Sequence, residues 1–188
     1  MNYIKLNDKG YIEAFAINSI IEGGIEVDNI PTDVQLCWQA YKYINGEFVK
    51  DDSEQLSIER NSAIELASSC CSATIYEGLW IEYNGKKLHY SYSIKDQSNI
   101  GAIRSRLIGG AKSVMYHANG EDYRLYSADE MWNVINQLDE LLMYHTAYYA
   151  ELKKWINRMT SLEELQKIHY GSELPEDLKR ELDEILSE

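Results

Sequence analysis

Phenylalanine and proline are nearly absent, at two residues each among 188, and the three cysteines, Cys37, Cys70 and Cys71, fall at no metal-ligand spacing. Adjacent Cys70 and Cys71 could be bridged only in a strained turn, so all three thiols are expected to be reduced, small fillers. No apolar run approaches the ~20 residues that a membrane helix needs. Met1-Asn2-Tyr3-Ile4-Lys5 carries neither the basic nor the apolar region of a signal peptide. These absences predict a chain made and kept in a cytosol unless it leaves within a larger particle. Basic charge is scarce as well: 18 Lys and Arg against 31 Asp and Glu give a formal net charge of −13. Such a field repels phosphate backbones and anionic lipid, which argues against nucleic acid or a membrane as a direct partner. A basic protein surface would be complementary; plain solubility is the alternative use of the acidity.

Catalytic signatures are missing too. There is no Gly-x-Ser-x-Gly elbow, no His-Glu-x-x-His pair and no phosphate-binding glycine loop, since Gly109-Gly110 lacks the Lys-Ser/Thr that such a loop requires. The four histidines, His89, His117, His145 and His169, are scattered one per element. His89 and His117 would face each other only if two hairpins shared a sheet, where a carboxylate could complete a metal site. His145 falls on an apolar helical stripe and reads as a hydrogen-bonded core or interface residue. Glu163-Glu164 reads as helix-start charge and Asp51-Asp52 as a loop before a cap. No catalytic, cofactor-binding or metal residue is therefore expected, with a small hydrolase or metal-dependent enzyme as the outlying alternative.

What is abundant is tyrosine, at 15 residues, and apolar side chains, at 45% of the chain. Tyrosine combines a large ring with a polar tip and suits wet interfaces as well as sheets; codon bias in an AT-rich genome gives the same excess. Residues 1–50 read as a small β-rich module. Tyr3-Ile4-Lys5-Leu6 and Tyr11-Ile12-Glu13-Ala14-Phe15-Ala16 alternate around the turn chemistry of Asn7-Asp8-Lys9-Gly10. Ile25-Glu26-Val27 follows a glycine break, Pro31-Thr32-Asp33 opens a brief helical turn, and Asn45-Gly46 marks a hairpin between Tyr41-Lys42-Tyr43-Ile44 and Glu47-Phe48-Val49. So short a sheet is expected to need a partner surface to be stable. Residues 51–74 read as a connector helix with Leu56, Ala63, Ile64, Ala67 and Cys71 on one face and Ser53 as its cap.

Residues 75–169 alternate hairpins with helices. Leu79–Tyr83 and residues 86–92 flank Asn84-Gly85, with exposed tyrosines expected at Tyr83, Tyr90 and Tyr92. A helix over 95–108 ends at Gly109-Gly110, and a second hairpin turns at Asn119-Gly120. Ser127-Ala128-Asp129-Glu130 is a capping box that opens a helix to about Arg158. Met131, Ile135, Leu138, Leu142, His145, Tyr149, Leu152 and Ile156 form its stripe, widened by Val134, Leu141, Tyr148 and Trp155. A stripe that wide predicts an intramolecular core, with an oligomer seam as the alternative. Residues 170–188 read as an acidic amphipathic helix with Leu178, Leu182, Ile185 and Leu186 on one side. It either packs on the domain or docks in a partner's groove. The predicted fold class is α+β.

The order of these motifs resembles a domain of unknown function that recurs at the C-terminus of tail proteins and tail-fibre assembly proteins of bacteriophages and prophages. The resemblance covers residues 79–169. It rests on Glu82-Tyr83-Asn84-Gly85, Gln97-Ser98-Asn99-Ile100-Gly101-Ala102, a second hairpin, a long helix bearing His145, then Leu152-Lys153 and Thr160-Ser161-Leu162-Glu163-Glu164-Leu165. Gly23-Gly24-Ile25-Glu26-Val27 and the 43–49 hairpin are similar in style to N-terminal modules of phage tail accessory proteins. The chain departs from the pattern at Tyr116-His117-Ala118-Asn119, where members of that family often carry a Trp-containing strand and an aspartate-bearing turn, and in its acidic tail.

The resemblance implies a non-enzymatic tail structural protein, baseplate- or fibre-associated, or alternatively a tail-fibre assembly chaperone. Its place would be the virion tail or a tail-like particle, and the host cytoplasm during assembly. Its partners would be other tail proteins or further copies of itself, with no cofactor. The candidate interface residues are Tyr43, Phe48, Tyr83, Tyr90, Tyr92, Tyr148 and Trp155.

Overall fold

Alternation and turn chemistry shape the N-terminal fifty residues. In a computed structural model, which describes residues 1–83 and 85–187, β1 (Asn2–Leu6) pairs antiparallel with both β2 (Ile12–Ala16) and β3 (Ile25–Val27). The Asn7 side-chain oxygen accepts from the Lys9 and Tyr11 amides and holds the β1–β2 turn. α1 (Thr32–Leu36) and a 3₁₀ turn (Trp38–Ala40) lead into β4 (Tyr41–Ile44) and β5 (Glu47–Lys50). Asn45 and Gly46, at φ +53° and +90°, make the left-handed two-residue turn that matches strand twist. Ile4, Ile12, Val27, Ile30, Val34 and Tyr41 close a core under this sheet. In place of the expected partner surface, α1 and the segment before it cover the short strands from within the unit.

Two compact units emerge, one of residues Met1–Ala63 with Met159–Lys167 and one of Ile64–Arg158 with Ile168–Glu188. The division falls inside α2 (Asp52–Glu77) and not at its start: its residues up to Ala63 belong to the first unit, while Cys71 and Ile75 join the second core. The cap of α2 is Asp51 and not Ser53. The Asp51 carboxylate accepts from the Ser53 and Glu54 amides at 3.1 and 3.2 Å, leaving Ser53 as the second helical residue. α5 (Leu162–Leu165), capped by Ser161, belongs to the first unit, where Arg60 donates to the Met159 carbonyl.

The second unit is built on α4 (Ala128–Arg158). Ser127 and Glu130 form the expected capping box, with the Glu130 amide donating to Ser127 Oγ and the Ser127 amide to Glu130 Oε2. Met131, Val134, Ile135 and Leu138 are buried under two hairpins and α3 (Ile94–Ile108). The hairpins are β6 (Leu79–Tyr83) with β7 (Lys86–Tyr90), and β8 (Ser113–Tyr116) with β9 (Arg124–Ser127). The Asn84 turn position and the Glu188 carboxylate lie outside the described residues. α3 begins at a second capping box, Ser93 with Asp96, which the sequence pattern had not flagged. The lower half of α4, with Ala147, Tyr148, Leu152 and Ile156 covered, carries α6 (Glu176–Leu186) through Leu178 and Leu182. The acidic tail therefore packs on its own domain, and α4 is a core helix within one chain. The architecture is mixed α+β.

Gly78, at φ +75°, turns α2 into β6 where an added Cβ would collide with the Tyr90 carbonyl. Gly101 sits mid-α3 with open space around it. Gly78→Ala should destabilise by at least ~2 kcal/mol, and Gly101→Ala should stabilise by about 0.5–1 kcal/mol, both read by urea unfolding.

Candidate functional site

Period-two alternation decides which hairpin side chains can meet a partner. On β6 and β7, Ile81, Leu88 and Tyr90 point into the core while Trp80, Glu82, Lys87 and His89 lie on the other face. On β8 and β9, Val114 and Tyr126 point inward, and Met115 and Leu125 face each other across the outer side. Trp80, Met115 and Leu125 are 65%, 52% and 60% exposed.

Two of the tyrosines expected on the surface are core residues instead. Tyr90, 2% exposed, bonds Tyr126 hydroxyl to hydroxyl at 3.0 Å, and its burial pushes its pKa well above the usual phenol value. Tyr92 is buried as well and donates to Asp139, which also takes two bonds from Arg104 at 2.7 and 2.6 Å. Burial and that carboxylate raise its pKa to about 12. Their rings sit in the inward phase of the strand and at the entry to α3, so hydroxyl partners inside the domain, and not solvent, satisfy their polar ends. Tyr148 is also buried, and its hydroxyl donates to the Ser172 carbonyl at 2.6 Å. Tyr83 and Trp155 are half-buried, Tyr83 against the hairpin core. In the first unit Tyr43 and Phe48 form a cross-strand ring pair, 5.0 Å between centroids, half-buried over the core.

Between the hairpins of the second unit lies an open cleft of about 530 Å³ lined by Tyr83, Lys86, Leu88, Tyr123, Arg124 and Tyr126 among others. The Arg124 guanidinium sits 3.5 Å from the Tyr126 ring centroid and 5.0 Å from that of Tyr83, and bonds Glu130 at 3.0 Å. Hydrogen bonds from Tyr83 first, then the Ser127 amide and Arg124, hold the Glu130 carboxyl down at about 2. Both basic groups of the cleft are already paired, Lys86 with Glu121 and Arg124 with Glu130, so it offers little free positive charge.

A second pocket, of about 310 Å³, opens where α4 meets the 170–174 segment and α6. Tyr144 and Tyr148 stack nearly parallel at 6.2 Å, and Tyr170 stands perpendicular to Tyr148 at 5.4 Å. His145 Nδ1 lies 2.9 Å from the Tyr170 hydroxyl, and burial lowers its pKa. Close by on the same α4–α6 seam, Glu151 is only 1% exposed and shares Lys154 with Glu181.

The histidines do not assemble. β6–β7 and β8–β9 are separate two-stranded sheets, so His89 and His117 share none. His89 stacks on Trp80 and bonds the Glu77 carbonyl, while His117 lies against Tyr123. Among the described residues no three His, Cys, Asp or Glu side chains group as metal ligands, and no described helix is long and apolar enough to cross a membrane. Outward Trp80, Met115 and Leu125 and the pocket tyrosines Tyr144 and Tyr170 were not singled out from the sequence. The strand phase of the first three was readable; the pocket needed residues 144 and 170 to be brought together by the turn after α4.

No family model, curated protein or solved structure matches this chain.

The Glu130 carboxyl, held low in the folded chain, contributes stability that is complete above the ordinary value of 4.5 and is lost as pH falls toward about 2. Melting temperatures followed from pH 6 to pH 2 should therefore fall more steeply for the native chain than for Glu130→Gln, the gap between the two beginning to close below about pH 4.5.

Proposed function

We propose that this chain is a non-enzymatic component of a bacteriophage tail or phage-derived tail particle, associated with the baseplate or fibre, that works by binding other tail proteins. The observation that carries the binding role is the outer face of the hairpins. In each, one face fills the domain core and the other presents large apolar side chains, Trp80 on the first and the opposed Met115 and Leu125 on the second. Neighbouring exposed apolar side chains on an otherwise acidic surface cost solubility unless something covers them. The assignment to a tail rests on the resemblance of residues 79–169 in motif order. Several copies following tail symmetry would be expected of a structural subunit. A tail-fibre assembly chaperone is the second reading, favoured by the same faces, since a chaperone needs an apolar surface that a client later leaves.

Quantitative mass spectrometry of washed tail particles separates the two readings. Stoichiometric presence supports the structural subunit; absence from particles with retention on fibre protein in the lysate supports the chaperone. Absence from both overturns the tail assignment. Met115→Lys with Leu125→Asp should change stability by no more than ~0.5 kcal/mol per site, because both positions are exposed, yet remove the chain from its particle or client.

A further inference from the structure

The pocket at the α4–α6 end of the second unit has a chemistry of its own. Tyr144, Tyr148 and Tyr170 give it aromatic walls, and Glu173 and Asp183 place carboxylates on its lining. The Tyr148 hydroxyl already donates to the Ser172 carbonyl and accepts from the Gly171 amide, and the Tyr170 hydroxyl is bonded to His145. What these two residues have left to offer an occupant is ring surface. Asp183 is exposed and has no ion-pair partner among the described residues. Lys179 also lines the pocket, but its ammonium is 4.0 Å from Glu173 with both side chains open to solvent, a weak tie. At about 310 Å³ the space suits one long side chain and not a folded element.

Aromatic rings beside carboxylates favour a cation, because the ring quadrupole and the carboxylate charge attract the same sign. The formal charge of −13 draws cations toward such a site over a longer range. A guanidinium suits these walls better than an ammonium: it is planar, stacks on a ring, sheds water more readily and can hold a carboxylate through two hydrogen bonds. We propose that this pocket receives an arginine side chain from a partner protein, held by stacking on the tyrosines and by pairing with Asp183 and Glu173. The proposal deepens the protein-binding reading above and rests on it for the identity of the partner as a protein.

The test is a two-dimensional amide NMR titration of the full chain with N-acetyl-arginine amide, with N-acetyl-citrulline amide as the neutral probe of the same shape. Saturable shifts at Gly171 and Ser172 are expected for arginine, with a dissociation constant on the order of millimolar for a lone side chain, and none for citrulline. Tyr144→Ala and Asp183→Asn should each weaken arginine binding about fivefold. Lys179→Gln should strengthen it by about twofold by freeing Glu173. Tyr144 and Asp183 are both exposed, so a retained amide spectrum shows that each variant is folded. No saturable shift, an equal response to citrulline, or affinity unchanged in both Tyr144→Ala and Asp183→Asn would overturn the proposal. Arginine binding without any presence in tail particles or on fibre protein would keep the pocket and remove the tail reading. Stoichiometric presence in particles without arginine binding would do the reverse.

Discussion

The burial of one stripe along α4 is the constraint on which the second unit depends. Met131, Ile135 and Leu138 on the upper turns, and Leu152 and Ile156 on the lower, are almost wholly removed from water. Among the described residues neither hairpin has a third strand, and a lone two-stranded ribbon is marginal in water. Each persists because its inner side chains, Ile81, Leu88 and Tyr90 or Val114 and Tyr126, share a core with the upper part of that stripe. α6 depends on the lower part in the same way. Eleven residues are too few for a stable isolated helix, and with no basic residue in the last turn only the acidic first turn favours it. Leu178 and Leu182 against α4, with the Lys154–Glu181 and Arg158–Asp177 pairs at the rim, hold it in place.

This arrangement explains how function can be separated from stability here. The inward phase of each strand is committed to the core, so the proposed binding role falls to the outward phase, whose exposed side chains can vary without opening the core. The tyrosine excess divides along the same line. Tyr90, Tyr92, Tyr126 and Tyr148 fill the interior with their hydroxyls satisfied by one another, by Asp139 or by a backbone carbonyl. Tyr123 and Tyr144 remain open to solvent. With only two phenylalanines in the chain, tyrosine does the packing that phenylalanine does elsewhere, and its hydroxyls become a buried polar network that must be paired. That network fixes which ring goes where, since a misplaced phenol would be left without a partner.

Local signals carried a long way in this chain. The Asn45-Gly46 turn, the Ser127–Glu130 capping box, the stop at Gly109-Gly110 and the full length of α4 were readable because each depends on residues within a few positions of one another. The α+β class and the acidic helical tail follow from the same local rules. The Ser53 cap failed for a related reason: Asp51, two residues earlier, offers a charged acceptor at a better reach and displaces the serine into the helix.

Period and turn chemistry by themselves thus determined the elements and their order. Only the tertiary structure decided which phase of each strand met α4, and so turned Tyr90 and Tyr92 from surface residues into core and left Trp80, Met115 and Leu125 outside. It also decided that residues 144, 148 and 170 converge on one pocket with Asp183, positions separated by a turn and a helix. A strand shows the same alternation whichever face is buried, and a pocket is made by groups distant in the chain. Both are fixed by the free energy of burying apolar surface between elements, a quantity that no local stretch of sequence contains.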